Sequence, residues 1–473
     1  LKRYDSDIKF IKKYTRASNA ATGSAVDSNA NVENKNITTL TGEIPKKLMI
    51  GINRTLMYDK QKELFGEEVA EKYIEQLDKH QIYKHDETSI FPYCVSITMY
   101  PYLFKGMKNI GGISEPPKNL QSFCGSFVNL VFAVASQFAG AVSTPEFLTY
   151  MDYFIRKEYG DDYYLRSNEV VDLSKRRRDI DSVISQCFQE VVYSLNQPAA
   201  ARNYQSVFWN IAYFDRPYFE SIFEDFVFPD GTEPQYESVL WLQKKFMNWF
   251  NRERLRTILT FPVETVNLLD DGVDYVDKEF ADFVAEMWAK GHSFFMYRSN
   301  SVDSLASCCR LRNELQDNTF SYTLGAGGVS TGSKSVITIN FNRLVQDAYK
   351  YKEWRDKEEF YNYLDSKIRE QVRLVHKYQI AYDDNLRDFL KTKMLPIYDA
   401  GFINMDKQFL TVGINGLVEG AEFLGIDISP NEEYFEYCTR CLKPIYEENK
   451  AAKTEHYMFN TEYVPKLCGH LAA

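Results

Sequence analysis

The chain contains no apolar run approaching the roughly 20 residues that a membrane-spanning helix needs, which excludes that class of membrane protein. Its first residues, Leu1-Lys2-Arg3-Tyr4-Asp5, lack the apolar core of a secretory signal, so a cytoplasmic protein with no membrane partner is expected. Nor is there a surplus of positive charge. The formal net charge is -10, from 56 basic and 66 acidic residues, and an acidic chain does not offer the broad cationic face that nucleic acid requires. A small nucleotide stays compatible, because a few backbone N–H groups or cations hold its phosphates whatever the total charge.

Histidine is scarce, with 6 in 473 residues, and the histidines do not fall at metal-ligand spacing. No Ser-His-Asp order of a hydrolase stands out. Eight cysteines are too few for the dense disulfide framework of a small secreted domain, so most are expected as thiols. No period of 20 to 50 residues recurs and no Gly/Ser linker divides the chain, which favours one large domain.

What is present is ample core. Hydrophobic residues make up 44% of the chain, with 33 Tyr and 33 Phe, enough buried surface to offset the entropy of ordering a chain of this length, and the many rings suit a large enzyme interior or simply a big aromatic core. Residues 15 to 50 are polar and read as an irregular arm. Leu64, Val69, Ala70, Tyr73, Ile74 and Leu77 recur at helical spacing between 58 and 80. The run from Tyr93 to Tyr100 is β-branched and aromatic and reads as a strand with Cys94, Ser96 and Thr98 on one face. Helices are expected over Gln121 to Phe138 and Thr144 to Lys157, the latter opened by Thr144-Pro145 as cap and first turn. Further strands are expected over Leu259 to Val263, Ser293 to Tyr297 and Ser335 to Phe341, and mostly long helix over 343 to 395. Strand and helix alternating over such a length point to an α/β fold with parallel strands, either a barrel or a doubly wound sheet.

Cys308-Cys309-Arg310 is the first candidate for chemistry. Vicinal cysteines bond to each other only through a strained turn, so the pair reads as one reactive thiol with a neighbour, or else as two small buried hydrophobes. Cys94 is the second, although a lone strand cysteine is ordinarily core and its case depends on a partner. Cys438-Thr439-Arg440-Cys441 has half the spacing of a zinc site or redox pair but sits inside a helical segment with no second pair, so surface or core thiols are favoured. The glycine-rich Gly325 to Ser335 lacks the spacing of a Walker loop and runs into a β-pattern, which makes a turn its default reading. Arg202 to Asn210 mixes amides, hydroxyls and aromatics, suiting a nucleotide pocket or a core equally.

Together these segments resemble class III, anaerobic, ribonucleotide reductases. Asn29 to Asn36 resembles the Asn-Ala-Asn-Val arm of that family. His85-Asp86 followed by Pro92-Tyr93-Cys94 is similar to its His-Asp and first active-site strand, and Glu115-Pro116-Pro117-Lys118 continues the match. Gln205-Ser206 resembles the Gln-Ser/Thr-Pro-Phe segment with Val207 in place of Pro, and Phe261-Pro262 with Asn267 resembles the Phe-Thr-Phe-Pro strand. Ser307-Cys308-Cys309-Arg310 stands where the family has Met-Gly-Cys-Arg, and Asn460 to Pro465 resembles Asn-x-Glu-x-Val-Pro. The resemblance covers about residues 15 to 465.

The resemblance implies a ten-stranded α/β barrel around a finger loop, with residues 1–57 as an N-terminal arm and start of the helical periphery, 58–465 as the catalytic barrel and 466–473 as a truncated or atypical tail. It implies Cys309 as the thiyl that abstracts the 3'-hydrogen of a ribonucleoside triphosphate and Cys94 as the reducing thiol opposite. Cys308 becomes an accessory thiol, and Gln205, Ser206, Asn460 and Glu462 substrate contacts. Ser307 replaces the Met typical of formate-using members, which points away from formate as reductant. The implied glycyl radical is installed by an S-adenosylmethionine/4Fe-4S activase and is expected outside this chain, with Gly469 in Lys466-Leu467-Cys468-Gly469-His470-Leu471 as a weak candidate. The family's zinc site is expected to be absent here, dNTP and ATP act as effectors, and the partners are the activase and a second copy of the chain. A pyruvate formate-lyase-like enzyme shares the barrel and adjacent cysteines but has no use for a second reducing thiol on the first strand. A non-catalytic nucleotide-binding fragment is the other alternative.

Overall fold

The computed structural model describes residues 2–16, 36–172, 178–198, 205–302, 304–307, 311–314 and 330–463. Asn29 to Lys35, Arg202 to Tyr204, Cys308 to Arg310, Gly325 to Val329 and the segment holding Cys468, Gly469 and His470 lie outside the described residues. The main strands are β1 (Ile82–Lys84), β2 (Cys94–Ser96), β3 (Val142–Ser143), β4 (Trp209–Phe214), β5 (Val263–Leu269), β6 (Phe295–Ser299), β7 (Thr331–Asn340), β8 (Phe409–Asn415) and β9 (Met458–Tyr463). They belong to two compact units interleaved in sequence: residues 1–45, 94–332 and 395–404 form the first, and 46–93, 333–394 and 405–473 the second.

In the first unit β2, β3, β4, β5 and β6 lie side by side in chain order, every neighbouring pair parallel. Parallel neighbours need crossovers, and helices such as Leu120–Ala135, Phe147–Tyr159 and Tyr236–Arg254 supply them. All six residues of β4 are buried, as expected where a parallel sheet is covered on both faces. Trp209 packs against Phe127 and Phe147 on one face, and Tyr213 against Phe246. Each such ring contact adds about 0.5–1.5 kcal/mol beyond the area it buries.

The second unit is built on parallel β7, β8 and β9, with β1 antiparallel to β7. The helix Lys357–Lys391, capped by Asp356 accepting from the Glu359 N–H at 2.8 Å, covers one face through Gln379, whose amide reaches the Ser335 and Thr411 carbonyls. Of the ten strands implied by resemblance, five fall in the first unit and four in the second among the described residues.

Several element boundaries differ from expectation for local reasons. The strand expected over Tyr93 to Tyr100 is confined to Cys94–Ser96, because Tyr100-Pro101 starts a helix in which the proline sits in the first turn. Helix Phe147–Tyr159 begins later than expected: Glu146 holds the cap position, and the Thr144 hydroxyl instead accepts from Trp209 Nε1 at 2.9 Å. The Leu259 to Val263 segment starts a strand only at Val263, after the cis bond Phe261-Pro262. The expected helix over 343 to 395 is two helices, Phe341–Tyr349 and Lys357–Lys391.

Candidate active site

Side-chain alternation along β4 decides which residues face the helices and which do not. Trp209, Ile211 and Tyr213 share one face, so Asn210 and Ala212 share the other. Across that second face the first unit carries a polar row. Ser96 pairs in register with Ser143, and Ser143 with Asn210. The Ser143 hydroxyl donates to Asn210 Oδ1 at 2.8 Å, and Asn210 Nδ2 donates to the Val263 carbonyl at 2.9 Å and Thr265 Oγ1 at 3.0 Å. Cys94, two residues before Ser96, is on the same side of β2 and is buried at 5% exposure. A buried hydroxyl and amide row of this kind is stable only when its members satisfy one another, and these do.

The C-terminal end of β2 is tied down by a carboxyl group. Glu146 accepts from the Met99 N–H at 2.7 Å and from the Thr98 hydroxyl at 3.1 Å, and it is 1% exposed. Burial pushes its carboxyl up to about 7, against the opposing hydrogen bonds from Met99 and Thr98. At neutral pH it therefore both accepts and holds a proton in part of the population.

The second unit has its own polar face, opposite the one where Phe459 packs against the His376 ring and Thr461 accepts from Asn449. Thr411 stands at its centre. Its hydroxyl donates to Asn460 Oδ1 at 2.7 Å and lies 2.8 Å from Ser333 Oγ. The register pairs Thr411 with Asn460 and Gly413 with Glu462, so Asn460 and Glu462 sit on that face as half-buried neighbours. Thr338 is opposite Gly413 and its hydroxyl lies 2.8 Å from His85 Nε2. Burial, with the nearby Lys84 charge, lowers His85 to about 3, so it is neutral at any physiological pH.

The sequence-based candidates divide accordingly. Cys94 joins Ser96, Ser143 and Asn210 on one face of the first unit, and Asn460 and Glu462 join Thr411 on one face of the second. Ser206 is buried and its hydroxyl donates to the Asn196 carbonyl at 2.8 Å, while Gln205 is half-buried beside it in sequence. Cys308 and Cys309 lie outside the described residues, but the segments that flank them pair antiparallel, Ser304–Ser307 with Leu311–Glu314. Cys438 and Cys441 lie within helix Glu432–Ala451, and burial pushes the Cys441 thiol up to about 12, unsuited to a reactive thiolate. Among the described residues there is no cluster of three or more His, Cys, Asp or Glu side chains suited to a metal ion, and no helix is long and apolar enough to cross a membrane. Ser143, Asn210, Thr265, Thr338 and Thr411 were not singled out from sequence. Their strands are short or lack alternation, and only the register reveals the rows.

No curated protein sequence matches the chain. Among solved structures, the anaerobic ribonucleotide reductase from Thermotoga maritima with citrate in the active site is 30% identical, with a TM-score of 0.77 over 93% of this chain and 75% of that one. The same enzyme with dATP bound in the specificity site is 30% identical with a TM-score of 0.77, over 90% and 70% of the two chains. Its complex with dATP and CTP is 29% identical with a TM-score of 0.79, over 96% and 70%. This likeness shows the α/β fold of that enzyme. The family described as anaerobic ribonucleoside-triphosphate reductase matches residues 45–472, and the chain therefore belongs to that family of oxidoreductases, which reduce ribonucleotides anaerobically.

Proposed function

We propose that Cys309 carries the thiyl radical that opens reduction of a ribonucleoside triphosphate, and that Cys94 is the thiol that returns hydrogen to the sugar. The observation that carries this reading is the placement of Cys94, buried on β2 in the same polar row as Ser96, Ser143 and Asn210. A thiol that reduces a radical intermediate needs such shelter from water together with nearby hydrogen-bonding groups for the ribose hydroxyls. The antiparallel strands flanking Cys309 in sequence support its role at the end of a finger-like loop.

In this mechanism Cys309 would give its sulfur hydrogen to the glycyl radical, which lies outside this chain unless it is carried by the weak candidate Gly469. The Cys309 sulfur then takes the 3'-hydrogen atom. The 2'-hydroxyl leaves as water after accepting a proton, Cys94 delivers a hydrogen atom, and the 3'-hydrogen returns from Cys309. The balance per turnover is two electrons and two protons in, one water out. Cys94 supplies one electron and one proton directly and is left as a thiyl; an external dithiol, with Cys308 as the accessory thiol, is oxidised to its disulfide, one of its two hydrogen equivalents restoring Cys94 and the other reaching the 3'-keto sugar as an electron and a proton. Asn460 and Glu462, beside Thr411, contact the ribose, as does Gln205; Ser206, whose hydroxyl donates to the Asn196 carbonyl, contributes only lone pairs.

The radical is installed by an S-adenosylmethionine/4Fe-4S activase, and the enzyme works as a cytoplasmic homodimer. The relative's dATP in its specificity site and its complex with dATP and CTP support a ribonucleoside triphosphate substrate with deoxynucleotide and ATP effectors here. The test is deoxynucleotide formation by the full-length protein, or by this chain complemented with the segment that carries the glycyl radical, after anaerobic activation. Cys309→Ala and Cys94→Ala are each expected to lose it, and deoxynucleotide formation retained in Cys309→Ala would sink the assignment.

A further inference from the structure

In the second unit the helix Lys357–Lys391 carries polar side chains whose partners lie outside the helix. Gln379 ties β7 to β8 through the carbonyls of Ser335, at 3.3 Å, and Thr411, at 2.6 Å. One turn further on, Asp383 is fully buried between two cations. Lys334 Nζ lies 2.6 Å from one carboxylate oxygen and Arg387 Nε 2.6 Å from the other. The shift of register between Ser333 and Ser335 accompanies this contact, with Ser333 bonded to Thr411 and Lys334 to the helix.

Both cations continue to the same place. Arg387 Nη2 donates to the main-chain carbonyl of His456 at 3.2 Å, and Lys334 Nζ lies 3.5 Å from it. Arg387 also holds Asp406 at 2.6 Å. His456 is two residues before β9, the strand that carries Asn460 and Glu462. Among the described residues of this unit β9 pairs with β8 alone, so its register depends on one ladder and on whatever anchors its ends. On its helix-facing side Thr461 is anchored by Asn449, itself 2.8 Å from His376. The entry is anchored by the Asp383 group.

We infer that Asp383 is a positioning residue for the reduction: by gathering Lys334 and Arg387 against the His456 carbonyl, it sets where β9 begins and so where Asn460 and Glu462 stand. The inference rests on the reading of those two residues as ribose contacts. A buried lysine and a half-buried arginine drawn to one buried carboxylate are costly to desolvate, and a structural ion pair alone is replaceable by neutral groups with little loss. A displacement of about 1 Å in groups that hold a reacting sugar lowers turnover on the order of a hundredfold, so an anchor at the strand entry has a kinetic effect that such a replacement does not restore.

The experiment compares Asp383→Asn, the double variant Lys334→Met/Asp383→Asn and the milder Arg387→Lys in the anaerobically activated full-length protein, or in this chain complemented with the segment that carries the glycyl radical. Arg387→Lys keeps a cation for Asp383 but loses the second arm that reaches His456. The double variant is expected to regain the thermal stability lost in Asp383→Asn, since no unpaired buried charge remains. Its kcat should nevertheless stay about tenfold or more below the parent, with KM for the nucleotide changed by no more than about twofold. Arg387→Lys should melt like the parent and show the same split between kcat and KM. Parental kcat in Arg387→Lys, or recovery of kcat together with stability in the double variant, overturns the inference. Asn460→Ala and Glu462→Gln are assayed alongside. Full turnover in both would remove the reading of β9 itself, whatever the Asp383 variants do.

Discussion

Thr338 occupies the space in which a side chain at Gly413 would begin. A Cβ on Gly413 would lie 2.2 Å from Thr338 Oγ1 and 3.0 Å from Thr338 Cβ, far inside van der Waals contact. Thr338 is not at liberty to move aside, because its hydroxyl is bonded to His85 at 2.8 Å and its backbone is in register with β8 and β1. The glycine therefore serves close packing rather than an unusual backbone angle. Gly413→Ala should destabilise the protein by about 1–3 kcal/mol, read as a lowered urea midpoint. Adding Thr338→Ala should recover only part of that, since the Thr338 Cβ stays. A Gly413→Ala variant as stable as the parent would contradict this packing.

Asn210 makes a second prediction in the first unit. It accepts from Ser143 and donates to both Val263 and Thr265, bridging three adjacent strands from a fully buried position. Truncation removes these bonds and leaves the Val263 carbonyl and Ser143 hydroxyl short of partners in a dry interior. Asn210→Ala should cost about 2–4 kcal/mol in urea unfolding, with an unchanged denaturant slope. A loss below about 1 kcal/mol would mean that water or a rearranged side chain replaces the amide.

Cys94 shows how far such a site is legible in sequence and where legibility stops. Alternation correctly put Cys94 and Ser96 on one side of a strand, because a period of two needs only neighbouring residues, whereas Thr98 lies beyond the end of that strand. The partners of that face were hidden. Ser143 stands in a strand of two residues, Val142–Ser143, too short for any periodic signal, and Asn210 stands in a strand buried on both faces, where polar and apolar residues do not alternate. Thr144-Pro145 has the pattern of a helix start, yet Thr144 is recruited by Trp209, 65 residues later, and no local rule anticipates that contact. The parallel α/β class followed from alternating elements, but the interleaving of two units depends on which strands pair at long range. Cys309 gained its weight from the order of motifs along the chain, which is information about family rather than about local chemistry.

Nucleotide effectors supply a third prediction. A relative carries dATP in its specificity site, and if the proposed effector binding holds, ligand concentration is linked to stability. At about 100 times its dissociation constant, dATP should raise the unfolding free energy by about 2.7 kcal/mol, seen as a concentration-dependent rise in urea midpoint. The same nucleotide should alter the relative rates at which different ribonucleoside triphosphates are reduced. A midpoint that does not respond to dATP would argue that this chain lacks the effector site.

Glu146 yields a prediction with a definite sign in pH. Burial pushes its carboxyl up to about 7, from an ordinary value of 4.5. Between those two values the folded protein holds a proton that the unfolded chain has released. Folding therefore becomes less favourable as pH rises from about 4.5 to 7, and the change is complete above the folded value. The gap between the two values corresponds to about 3 kcal/mol. Glu146→Gln keeps an oxygen for the Met99 N–H and Thr98 hydroxyl but cannot ionise. The stability of the parent minus that of Glu146→Gln should thus fall by about 3 kcal/mol between pH 4.5 and 7 and then level off. Asp152 and Asp215, raised to about 6 by burial, add slopes of the same sign to both proteins and cancel in the difference. A difference that stays flat, or that rises with pH, would show that Glu146 is ionised in the folded protein and that the Thr98 and Met99 bonds outweigh its burial.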